Sequence, residues 1–172
     1  MTAEANPIHG MSRGVDHVTI PVADMERAER FYVAVLGAEL LERFDAATFL
    51  KYRPGREDEL AGNNSPLHLS VRFGAGPRLD LFLQDYGQPA VEQAHPHVAF
   101  EVDGPNLDAV KAHLLSAGIP VDGPRRLGPP GQASLYFFDP FGNKLEFMTS
   151  AYPGHAPVGA PNWKAIAYEW RG

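Results

Sequence analysis

The sequence predicts an α+β fold made of two βαβββ modules, and three observations carry that reading. The stretch DHVTIPVADMERAERFYVAVLGAEL, led by His17, and the stretch PHVAFEVDGPNLDAVKAHLLSAGIPV, led by His97, both read as a strand, a capped helix and a glycine stop. Their glycines keep register, Gly37 falling 20 residues after His17 and Gly118 21 residues after His97. Acidic residues recur near the far end of each unit, Asp80 in RLDLFLQ and Glu146 in KLEFMTS. Paired modules can aim matching side chains into one shared cleft. Imidazole and carboxylate at matched points of a repeat therefore make a metal site the first hypothesis to test.

Each element follows from local chemistry. Residues 15–22 alternate, with β-branched Val18, Thr19, Ile20 and Val22, and read as a strand. Asp24 can cap a helix whose apolar stripe is Ala28, Phe31, Tyr32, Val35 and Leu36, with Gly37 at its end. Strands are expected over 39–44 and over 48–52. The charged, Gly/Asn/Pro-rich run PGREDELAGNNSP (54–66) has no periodicity and reads as an exposed loop. Strands over 67–73 and 79–84, joined by the turn GAGP, close the first unit. In the second, 97–102 is a strand, Pro105 suits a first helical turn, Leu107, Val110, Leu114 and Ala117 make the apolar stripe, and Gly118 ends it. Strands over 121–127, 134–138 and 144–149 follow, the last two joined by the turn DPFGN. His17 precedes Asp80 by 63 residues and His97 precedes Glu146 by 49, a difference the 54–66 loop nearly accounts for.

Composition narrows the chemistry. At 172 residues the chain suits one compact domain. We divide it into a flexible N-terminal arm (1–13), a domain (14–150, modules 14–84 and 96–150) and a tail (151–172). The tail's Tyr152, Trp163, Tyr168 and Trp170 are too aromatic for a solvated end, so it is expected to pack on the domain or on a partner chain. A net charge of −6 with scattered basic residues offers no footprint for nucleic acid or anionic lipid and leaves a small molecule as the expected partner. Cysteine is absent, which removes disulfides, zinc-thiolate sites and thiol nucleophiles. With no signal-like or membrane-length apolar run, a cytoplasmic location is expected.

The strand starts DHVTIPV and PHVAFEV and the ending YFFDPFGNKLEF resemble the vicinal oxygen chelate superfamily, over about residues 14–150. That superfamily includes glyoxalase I, fosfomycin resistance transferases, extradiol dioxygenases and bleomycin resistance proteins. The resemblance implies a glyoxalase-like fold, in which each module curls its mixed sheet into half of a cup. It also implies a metal held by His17, His97 and Glu146. Two imidazoles and a carboxylate suit Fe(II), Mn, Ni, Co or Zn and leave positions open for substrate oxygens. Asp80 stands where four-ligand relatives carry glutamate. Being one methylene shorter, it is expected to support the site or play no part.

The segment LYFFDPFG, followed by Glu146, resembles the extradiol dioxygenase signature, although residues 125–133 lack the histidine that signature carries. On this resemblance the expected activity is a Fe(II)-dependent, ring-cleaving dioxygenase, an oxidoreductase that takes a catechol and dioxygen. Tyr136 would steady a substrate oxygen and His68 would manage protons. Phe137, Phe138, Phe141, Phe147, Tyr152 and the tail tryptophans would line the cup for an aromatic ligand. The alternatives are a glyoxalase-like isomerase or lyase, a fosfomycin-type resistance transferase and a metal-free binder of the bleomycin resistance kind. Thr19, two residues after His17, fits the transferase. Such an enzyme needs clustered cations for a phosphonate, and near the second unit's mouth only Arg125 and Arg126 are paired. A homodimer would let two chains share a cup.

Overall fold

The structure, a computed structural model, describes residues 15–60, 66–84 and 97–170. The arm over 1–13 and residues 61–65 of the 54–66 loop lie outside the described residues, and the loop contains a 3₁₀ turn, Glu57–Leu60. Two four-stranded mixed sheets are present, in the orders β1-β4-β3-β2 and β5-β8-β7-β6. The first contains β1 (His17–Val22), β2 (Glu39–Phe44), β3 (His68–Arg72) and β4 (Arg78–Leu83). The second contains β5 (Val98–Glu101), β6 (Asp122–Arg125), β7 (Ala133–Phe138) and β8 (Lys144–Thr149). In each module the first strand runs parallel to the last, and the other neighbours are antiparallel. The two modules thus share one topology, as the repeat requires.

Helix α1 (Met25–Glu29) starts where Asp24 accepts a hydrogen bond from the Arg27 N–H at 2.9 Å. It widens into a π-helical stretch, Arg30–Val35, which buries Phe31 and Tyr32. The chain leaves this helix at Gly37, whose φ of +76° few side chains could adopt. One expectation is then overturned. Residues 48–52 belong not to a strand but to helix α2 (Ala46–Tyr52). Asp45 caps it by accepting from the Thr48 N–H at 2.8 Å, and only Phe49 is buried, so a helical turn with one apolar contact replaces the alternating pattern. In the second module helix α3 (Leu107–Ser116) follows a 3₁₀ turn containing Pro105 and buries Leu107 and Leu114.

Pleating gives each sheet two unlike faces. Ile20, Val22, Leu69, Val71, Leu79 and Leu81 line one face of the first sheet and join the core with Ala28, Phe31 and Tyr32. Phe100, Leu135, Phe137, Leu145 and Phe147 do the same for the second sheet, with Leu107 and Leu114. Alternation then sends His17, Thr19, Ser70 and Asp80 to the other side of the first sheet, and Tyr136 and Glu146 to the other side of the second.

The DPFGN turn is more than a reversal, because it joins the modules. Asp139 Oδ1 accepts from the N–H groups of Phe141 and Asn143, and Oδ2 accepts from the Tyr32 hydroxyl at 2.9 Å and Asn143 Nδ2 at 2.6 Å. Asn143 Nδ2 also donates to the Pro21 carbonyl, at the end of β1. His113 Nε2 donates to the Val35 carbonyl, and the rings of Phe73 and Phe100 meet with centroids 4.3 Å apart. Beyond β8 the chain turns under Gly104, where a Cβ would come within 1.9 Å of the Ala151 carbonyl oxygen, so no larger residue fits. Trp170 ends against Phe31, with its carbonyl accepting from Arg27. The tail thus packs on the domain that carries it.

Burial raises the Asp139 carboxyl above its ordinary value, and its four donors limit the rise. A raised folded-state value means that the native state binds more protons than the unfolded chain from just below pH 4 upward, so stability should fall as pH climbs through that window. Urea unfolding followed across pH 3.5–7 should therefore give D139N a less negative slope of stability against pH than the wild type. D139A, which strands the Tyr32 hydroxyl and Asn143 amide, should cost about 2–4 kcal/mol.

Candidate functional site

Of the three residues that the resemblance assigns to a metal, the structure joins two within one chain. His97 Nε2 lies 2.6 Å from Glu146 Oε2. The cause is register: Ala99 of β5 pairs with Glu146 of β8, so His97, two residues before Ala99, projects from the same face. Glu146 is 6% exposed, while the His97 side chain keeps 27% of its surface. A carboxylate held beneath a half-open imidazole is a two-donor set facing outward.

Tyr136 stands beside this pair. It is directly opposite Glu146 across β7 and β8, and its ring meets that of His97 edge-on with centroids 6.3 Å apart. Burial raises the Tyr136 hydroxyl above its ordinary value, and the nearby Glu146 charge adds to this. At neutral pH the group is therefore a hydrogen-bond donor rather than a base.

His17 stands apart, on β1 at the outer edge of the first sheet. Its Nδ1 lies 2.8 Å from Asp16 Oδ1, and 45% of its side chain is exposed. The His17 hydrogen bond, with Arg78 behind it, holds the Asp16 carboxyl below the usual range. Among the described residues, no three His, Asp or Glu side chains gather closely enough to hold a metal ion.

Asp80 occupies in the first sheet the place Glu146 has in the second, opposite Thr19 as Glu146 is opposite Ala99. Its surroundings differ. Ser70 donates to Asp80 Oδ1 at 2.6 Å, and the Arg78 guanidinium spans both oxygens, Nε at 2.9 Å from Oδ1 and Nη2 at 3.1 Å from Oδ2. Only 3% of Asp80 is exposed. Its oxygens thus face a hydroxyl and a guanidinium, which fits a supporting role rather than a ligand's.

His68 lies on the same sheet, stacked between Phe44 and Phe82 at 4.9 and 4.5 Å. Its Nδ1 donates to the Pro66 carbonyl, since a carbonyl only accepts, which leaves Nε2 as an acceptor in the neutral ring. These contacts are all with the first module, whereas Tyr136 is in the second.

Two inferences about lining change. Phe137 and Phe147 stack on each other within the core and do not line this face. The sequence also hid the cations. Arg72 and Arg78 lie abreast on the polar face of the first sheet, but each faces a carboxylate, Glu39 or Asp80. Arg125 likewise holds Asp122 at 2.7 Å. The period-two pattern around 68–83 was the signal that could have placed both arginines.

Known proteins share this architecture. Residues 14–147 match the Glyoxalase/Bleomycin resistance protein/Dioxygenase superfamily. The chain belongs to that superfamily. It is 28% identical over 141 residues to a metallothiol transferase FosB of Shouchella clausii (strain KSM-K16), covering 81% of this chain and 82% of the relative. Among solved structures it is similar to a glyoxalase family protein from Enterococcus faecalis, 25% identical with a TM-score of 0.60, covering 81% of this chain and 99% of that one. It is also similar to TnmS3, an antibiotic binding protein from Streptomyces sp. CB03234, 27% identical with a TM-score of 0.54, covering 79% and 94%. No helix among the described residues is long and apolar enough to cross a membrane.

Removing the partner of a buried charge is the costly change here. R78M, which leaves the Asp80 carboxylate with Ser70 alone, should destabilise the fold by about 1–3 kcal/mol, and the double variant R78M/D80N should recover most of it. Urea denaturation of the three proteins measures the coupling.

Proposed function

We propose that this chain is a metal-dependent group-transfer enzyme of the metallothiol transferase kind, joining a thiol to a compact, oxygen-bearing electrophile. The observation that carries the reading is the His97–Glu146 pair with Tyr136 beside it. The similarity to the FosB relative favours thiol transfer over the ring-cleaving dioxygenase that the LYFFDPFG segment suggests. The aromatic lining that is the dioxygenase's second support is reduced, since two of those rings, Phe137 and Phe147, turn into the core.

The ion would be held by His97 and Glu146 of one chain and by His17 of a second copy. Both β1 and β5 are outer strands, each with an edge that no strand of its own sheet occupies. An apolar groove of about 1140 Å³ runs between them, lined by Val18, Phe73, Leu79, Val98, Phe100 and Leu114. A second copy that brings its β1 edge to β5 would bury this surface and supply the missing imidazole. Two imidazoles and one carboxylate suit Mn, Fe(II), Co, Ni or Zn. Such an ion polarises a substrate oxygen as a Lewis acid.

The chain's own groups do the rest. The Tyr136 hydroxyl, kept protonated, donates to a substrate oxygen on the exposed side of His97. Thr19, beside His17 on β1, would present its hydroxyl to the same space from the second copy. The substrate thiol has to come from outside, since the chain has no cysteine. In the transfer, sulfur forms a bond to an electrophilic carbon, the carbon–oxygen bond of a strained ring breaks, and the released oxygen gains the thiol proton.

Titration of metal-free protein with Mn(II) or Ni(II) by calorimetry should give one ion per chain, and H17A, H97A and E146A should each weaken binding at least about tenfold. Wild-type protein that binds no ion would end this reading. Refolding H17A together with E146A should restore about a quarter of the wild-type ion sites, because only mixed dimers hold an intact set. No recovery would place all three ligands in one chain or remove His17 from the site. The loaded enzyme should consume free thiol in the presence of a small epoxide. Oxygen uptake with a catechol and no loss of thiol would return the choice to the dioxygenase.

A further inference from the structure

We propose that Trp163 is a fixed wall of the ligand cup and a specificity-determining residue that restricts the cup to compact, non-aromatic ligands. The proposal deepens the transferase reading and rests on it for the cup's location. Nothing else in it depends on the reaction.

The chain beyond β8 lies past residue 147, where the superfamily match ends. It crosses the polar face of the second sheet rather than its apolar back. Val158 bridges to Arg126, and the Asn162 N–H donates to Asp122 Oδ2 at 2.6 Å. A 3₁₀ turn, Trp163–Ile166, then sets the Trp163 indole against Tyr136, with centroids 5.6 Å apart, and against Phe138 at 5.1 Å. The Lys144 ammonium lies 5.3 Å from the centre of the indole. Tyr136, Phe138 and Lys144 share the face that carries Glu146, as the β7–β8 register requires. Rings thus run in contact from Trp163 through Tyr136 to His97.

The placement has a chemical consequence. Tyr136 and Phe138 are the aromatic surfaces of the second sheet that a flat ligand would stack on, and the indole already packs on both. A planar aromatic guest beside His97 would have to displace Trp163, whereas a small guest reaching the exposed edge of His97 would not. The wall is pinned on both sides. Past Trp163, the Tyr168 hydroxyl donates to the Phe138 carbonyl at 3.0 Å, and Trp170 packs on Phe31 at 5.5 Å. The indole N–H is buried without a hydrogen-bond partner among the described residues, so the shape of the ring rather than its donor holds it there. Phenylalanine should serve almost as well, and alanine should not.

Two chelators that bind through neighbouring oxygens separate size from chemistry: acetohydroxamate, which is compact, and 4-nitrocatechol, which is aromatic. With the Mn(II)-loaded protein, calorimetry should show acetohydroxamate binding wild type and W163A within about threefold of one another. Nitrocatechol should bind W163A at least about tenfold more tightly than wild type, with W163F behaving like wild type. Equal nitrocatechol affinity in wild type and W163A would overturn the wall. A second arm needs no metal. Indole added to W163A should refill the vacated slot and shift the His97 imidazole proton signals, identified by their loss in H97A. An unmoved His97 signal, or the same shift in wild type, would overturn the proposal. W163L replaces W163A in the chelator arm if the alanine variant does not fold. A silent titration with Mn(II) alone removes the transferase reading, and the indole arm then decides the wall by itself.

Discussion

The parallel pairing of the first and last strand in each module is the constraint on which the candidate site depends. It fixes Ala99 opposite Glu146 and Thr19 opposite Asp80, and the pleat then decides which side chains share a face. A shift of one residue would turn Glu146 into the core and Leu145 or Phe147 outward. The buried apolar set on the back of each sheet therefore holds the donor groups in place on the front. Core packing and site geometry follow from one register.

The two modules use the same positions for different ends. In the second, the carboxylate at the shared position rests against an imidazole. In the first, the equivalent carboxylate is held by Arg78 and Ser70 instead. Duplication supplied two similar frames, and the residue two places before the acid on the last strand, Arg78 or Lys144, separates their chemistry. Asp139 ties the frames together: its four donors come from the DPFGN turn and from Tyr32 of the other module.

Much of this could be read along the chain. The glycine stops at Gly37 and Gly118, the Asp24 cap, the order of strands and the pairing of Tyr136 and Glu146 on adjacent strands are local or periodic signals. Residues 48–52 misled because Thr48, Phe49 and Tyr52 favour strands, while the Asp45 cap that makes them helical acts from outside the run. The aromatic ending misled differently. Composition counted Phe137 and Phe147 toward a cup, but alternation faces them inward. Composition counts the tail tryptophans toward the cup only as a group, because the place of Trp163 depends on contacts with Asp122, Tyr136 and Phe138 from distant strands.

The sequence by itself determined the doubled βαβββ plan, the strand carrying each candidate donor and the face each donor takes, since these follow from periodicity, capping and repeat spacing. Only the tertiary structure decided which donors meet. It seated His97 on Glu146, diverted Asp80 to Arg78, left His17 at an outer edge and drew the tail across Tyr136. The first three outcomes follow from strand pairing within each module and the last from where the chain returns after β8, and neither can be read from any single strand taken alone.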